Sequence, residues 1–175
     1  MKNTLNTKMN KDSEILHKRA LNNALRLKTD ENEVKVDYLV FRVVKELYAL
    51  EKKWVKEVVK INSFTKIPGT PEFVTGVSNV RGIIYSAINI NRFLSSKEFG
   101  LSDLNKMIII SNGEIEYGIL ADEIIGFSEN LVDVKSEIPD NYSNIYKEFI
   151  IGITTNSILI LNGKALTENK KIIIE

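Results

Sequence analysis

The 175-residue chain has no cysteine, which excludes disulfides, thiolate nucleophiles, cysteine-ligated zinc and iron–sulfur clusters together. Its one histidine, His17, has no second histidine or cysteine at ligand spacing, so a metal site or a histidine-based triad lacks its parts. Nine glycines are scattered along the chain and match neither the dinucleotide fingerprint nor the Walker loop. No window approaches roughly eighteen consecutive apolar residues. The start, Met1-Lys2-Asn3-Thr4-Leu5, lacks the apolar stretch of a signal peptide, so a cytoplasmic protein without direct membrane insertion is expected. A marked excess of positive or negative charge is missing too. Lys+Arg 24 against Asp+Glu 23 leaves +1, and no global field points to nucleic acid or a polyanion.

What is present is the ordinary composition of a globular protein, 43% hydrophobic and 27% charged, in a length suited to one domain with an appendage. Residues 1–34 form a distinct Asn/Lys/Glu-rich extension with one helical signal between Asp12 and Lys28. Asp12 or Ser13 can cap it, and Leu16, Ala20 and Ala24 recur beside Leu21 and Leu25. The stripe reads as a docked appendage or as a partner-binding helix. Residues 35–175 form the body. From Val36 onward short runs rich in Val, Ile, Tyr and Phe predict about nine or ten strands. They fall among 36–44, 46–51, 53–61, 77–85, 87–90, 106–111, 115–121, 124–128, 130–134, 148–154, 157–161 and 171–174. Asn91–Leu94 makes one helical turn at most, and Lys66–Pro71 is a proline turn. Without helices of crossover length, barrels or sandwiches are favoured over a parallel sheet. Tyr38, Val40 and Arg42 alternate with Leu39, Phe41 and Val43, so the first strand is apolar on both faces and reads as sandwiched.

Asp122-Glu123 ends an apolar run, where a carboxylate is more often a turn former accepting backbone amides than a general base. Arg81 lies inside the apolar run Val77–Ile84, read as one strand. A guanidinium there must reach a carboxylate or emerge in a groove, and Glu57 is the nearest candidate on a neighbouring strand, with Gly82 allowing close approach. The pair is either a buried register pin or a functional groove charge. The row Lys52, Lys53, Trp54, Lys56 and Lys60 supports an alternative, a small β-barrel binding single-stranded nucleic acid, although strand alternation splits the lysines between faces.

Four blocks resemble the CheW-like family of chemotaxis adaptors across about residues 36–161. Tyr38–Phe41 with Leu47–Leu50 is similar to its first two strands, and Trp54–Val58 to its Val-x-Glu strand. The most specific block is Ile67–Gly82, which matches the family's proline turn and its Asn-(Leu/Val)-Arg-Gly signature. Tyr117–Asp122, Glu148–Gly152 and Ile158–Leu161 follow in the family's order. The resemblance implies a mainly β fold: two small five-stranded SH3-like β-barrel subdomains packed together, behind an N-terminal helical extension. It also implies no catalysis, cofactor or metal. The expected function is a scaffold that couples the cytoplasmic hairpin tips of methyl-accepting chemoreceptors to the regulatory domain of the CheA histidine kinase, recruited to receptor arrays at the inner face of the membrane. Carried over by motif, the binding residues are Val55, Glu57, Asn79, Arg81 and Gly82, at or near a receptor groove between subdomains. The sequence departs from the family pattern twice. Tyr85–Ile90 loses a usual proline and acid, and Leu161-Asn162-Gly163-Lys164 replaces a usual Leu-(Asp/Asn)-Ile.

Overall fold

The computed structural model describes residues 36–94, 104–129, 131, 134, 135, 144–168 and 172. The chain divides at Lys35/Val36, and the described residues all belong to the second unit. The expected helix at 12–28, with His17, lies outside them.

The strands are β1 (Asp37–Val43), β2 (Glu46–Glu51), β3 (Val55–Lys60), β4 (Val74–Val80), β5 (Ile83–Ile88), β6 (Lys106–Ser111), β7 (Glu116–Ala121), β8 (Glu123–Glu129), β9 (Val134–Lys135), β10 (Ile150–Thr154) and β11 (Ile158–Leu161). Two short helices, α1 (Ile90–Leu94) and α2 (Gly163–Glu168), and two 3-10 turns, Lys52–Trp54 and Asn144–Phe149, join them. None of the described helices is long and apolar enough to cross a membrane.

The fold is mainly β, in two sheets of order β8-β1-β2-β11-β10-β9 and β3-β6-β7-β5-β4. The first exceeds the expected five strands by the two-residue β9. Pairing is antiparallel except for β11 with β2 and β5 with β7. After β3 the chain returns to β4, where Thr65 and Val77 exchange backbone hydrogen bonds of 2.8 and 2.9 Å.

Strand alternation explains the core. Leu39, Phe41 and Val43 of β1 and Tyr48 and Leu50 of β2 join Ile108, Ile110 and Ile119 of the second sheet in one buried cluster. On the opposite faces, Val40, Ala49 and Ile160 form a second cluster, and Ile61, Val80, Tyr85, Ala87, Met107, Ile109 and Leu120 a third. The double-sided reading of β1 holds. Each such side chain contributes about 1.5–3 kcal/mol by leaving water.

Both departures from the family pattern have local solutions. Asn89 stands where the family has an acid, yet its Oδ1 accepts the Asn91 and Arg92 amides at 3.1 and 3.2 Å, capping α1 without a charge. That helix carries Phe93 into edge-on contact with Phe73, Tyr146 and Phe149. After β11, whose Leu161 is fully buried, the Asn162 side chain accepts the Ala165 amide at 3.2 Å and starts α2. Sequence reading had no helix there. Gly163 is required, because a Cβ would sit 2.2 Å from Cδ1 of Trp54.

Tyr117 donates its hydroxyl to the Leu166 carbonyl at 2.8 Å, tying β7 to α2. Burial pushes its phenol well above the usual range. The native state therefore keeps this proton where the unfolded chain, titrating near pH ~10, releases it. The contribution is whole below about pH 10 and is lost as pH rises further. Urea melts at pH 9 and 11 will show an alkaline loss that Tyr117→Phe reduces, at a cost of about 1 kcal/mol at pH 7.

Candidate docking site

Arg81 is not inside a strand. The run 77–85 is a hairpin in which Val80 opposes Ile83, and Arg81-Gly82 forms its two-residue turn with φ of 53° and 90°, the pattern of a type I′ turn. The sequence resembles one strand here because both flanking strands are apolar and Arg-Gly is not among the usual turn pairs. Asn79 supports the turn by accepting the Gly82 amide on its Oδ1 at 2.8 Å.

Arg81 Nη1 donates to Glu57 Oε2 at 2.7 Å, with the two side chains 74% and 28% exposed. A buried register pin is thereby excluded. The pair also does not span neighbouring strands: β3 and β4 stand at opposite ends of their sheet. At about 4.8 Å per strand a flat sheet would hold them about 19 Å apart, so the sheet curls to bring them together. Of the five expected residues the structure brings Glu57 and Arg81 into contact, sets Asn79 and Gly82 in the same turn, and places Val55 on β3.

Residues directly opposite in a ladder share a face. Val55 and Val58 of β3 oppose Ile110 and Ile108, both members of the main core, so they point to that side; Val58 nevertheless stays 39% exposed. On the other sheet Phe127 of β8 opposes the core residue Leu39 and is 62% exposed. β3 and β8 each end their sheet. Near one end Lys52 Nζ sits 5.4 Å from the Phe127 ring centroid, three residues before Val55. At the other, Lys106, opposite Lys60, donates to the Asp122 carbonyl just before β8. The two strands thus bank an apolar strip along the open side of the core. Val58, Lys52 and Phe127 belong to it and were missed, since no sequence signal shows which sides of two edge strands stay uncovered.

Several other charges are paired within the fold. Asp122 accepts the amide of Val44, a positive-φ residue in the β1–β2 turn, and Glu123 pairs with Arg42. Lys56 and Glu116 meet at 2.7 Å; their hydrogen bond raises the lysine pKa and lowers that of the carboxyl. Lys52 pairs with Asp37 and Lys53 with Glu51, and Trp54 packs on Gly163. Nothing supports the nucleic-acid alternative. Among the described residues no group of three His, Asp or Glu is placed to hold a metal.

Fold and site together define a two-sheet β module with an exposed, ion-paired hairpin turn on one sheet and an apolar strip between two edge strands. The model of the CheW-like domain matches residues 37–171, and the chain belongs to that family. It is similar to the chemotaxis protein CheW of Bacillus subtilis, 26% identical over 75% of this chain and 86% of that one. The chemotaxis protein CheW of Treponema pallidum is 28% identical over 81% and 87%. Among solved structures, the scaffolding protein TtCheW of Thermoanaerobacter tengcongensis superposes with a TM-score of 0.61, at 29% identity over 75% and 86% of the two chains.

Proposed function

We propose that this protein is a non-enzymatic chemotaxis coupling scaffold whose strip between β3 and β8 receives the cytoplasmic hairpin tip of a methyl-accepting receptor, while another surface engages the CheA regulatory domain. The observation that carries this reading is the Glu57–Arg81 ion pair, exposed and set by a strained turn, on the face of β3 opposite the one that leaves Val58 uncovered. A non-glycine residue at φ 53° costs roughly 1–2 kcal/mol, so folding alone favours Gly or Asn there. Apolar anchors along the strip suit one face of a helical hairpin, and the charges at its edge fix the register. Individual contacts can be weak, because an array of receptors and kinases raises the effective concentration of each second contact.

The second sheet, with its own small core and the isolated Thr65–Val77 bridge beside β4, is read as one SH3-like barrel. The first sheet, around Val40, Ala49 and Ile160, is read as the other. A cytoplasmic protein held at receptor arrays fits this role. The test is co-purification with a kinase regulatory domain and a receptor signalling fragment. A ternary complex supports the reading; failure to retain either partner at micromolar concentration counts against it.

A further inference from the structure

We infer that Lys52 and Phe127 form the specificity-determining pair of the strip, selecting a partner helix that presents a carboxylate at the end nearest the Lys52–Trp54 turn. The inference rests on the docking reading above and adds the chemistry of one contact. Three features of Lys52 lead to it. Its ammonium lies over the Phe127 ring, 5.4 Å from the centroid, so the aromatic face and the cation form one surface. Its ion pair with Asp37 is long, 3.4 Å, against 2.7 Å for Arg81 with Glu57 and for Lys56 with Glu116; close charge-assisted bonds run about 2.7–2.9 Å. Lys52 is also 59% exposed. The neighbouring Lys53 is committed differently, to Glu51 and to the Trp54 ring.

A helix that covers Phe127 must take the Lys52 ammonium out of water with it. A desolvated cation needs a close anionic partner, and Asp37 at 3.4 Å holds it only loosely. A helix offering a carboxylate completes the site, whereas one offering a lysine or a bare apolar side chain leaves the ammonium unpaired. Selection therefore acts mainly by penalising wrong partners.

The experiment measures binding of a receptor cytoplasmic hairpin-tip fragment by calorimetry at low and high salt. It compares the unaltered protein with Lys52→Glu, Lys52→Gln, Phe127→Ala and Val58→Asp; all three positions are at least partly exposed, and melting curves check that each variant folds. Lys52→Glu is expected to weaken binding about tenfold or more and to remove the decline of affinity with salt, with Lys52→Gln and Phe127→Ala in between. Changing the fragment's acidic residues to lysine one at a time should yield one fragment that binds Lys52→Glu better than it binds the unaltered protein. Unchanged affinity and salt dependence in Lys52→Glu, with binding lost in Val58→Asp, would overturn the inference and leave the docking reading standing. Normal binding by Val58→Asp would sink both.

Discussion

Replacing Gly76 with alanine is expected to cost about 3 kcal/mol, lowering the melting midpoint by about 10 °C, and to loosen the docking site as well. The residue sits at φ 150°, and a Cβ there would lie 2.4 Å from the Thr65 carbonyl oxygen and 2.9 Å from its carbon. These are backbone atoms, unable to swing aside as the Met107 side chain next to Gly118 can. The Thr65–Val77 bridge is what brings the chain after β3 back to β4, and so carries the β4–β5 hairpin toward Glu57. Thermal melts and the amide resonances of Arg81 and Gly82 check this. A melt within about 2 °C of the unaltered protein would show that the bridge is dispensable.

Arg81→Glu is expected to abolish receptor-dependent control of kinase activity in a reconstituted receptor–kinase assay while the protein stays folded. The change sets a second carboxylate against Glu57, yet the ion pair it removes is solvent-exposed and contributes only about 0–1 kcal/mol. Arg81→Asn separates fold from function further. Asparagine tolerates the left-handed turn conformation better than arginine, so this variant should melt at or slightly above the original temperature and still fail to couple. Normal coupling by either folded variant would show that the ion pair is no part of the docking site.

The sequence was most legible where one residue type serves one purpose. Alternation in β1 announced two buried faces because both sides of that strand meet core, and the Ile67–Gly82 block carried the family resemblance together with Asn79, Arg81 and Gly82. The Arg81 turn was misread because apolar composition cannot distinguish one long strand from two short ones joined by a two-residue loop, and Arg-Gly gives no Asn-Gly-type signal. α2 was missed because its cap, Asn162, and its glycine, Gly163, look like a loop until Trp54 is seen packed against the glycine. The apolar strip was least legible. Val58 and Phe127 alternate as core residues do, and only the strand order, which puts β3 and β8 at the edges of their sheets, leaves them uncovered.

Whether a receptor hairpin lies between β3 and β8 is decided by amide shift mapping of the protein titrated with a receptor hairpin-tip fragment. The perturbed amides should cluster at residues 55–58, 79–84 and 125–127. A cluster around Val134 and Ile151, exposed apolar residues of β9 and β10 at the far end of the first sheet, with β3 and β8 unperturbed, would contradict it.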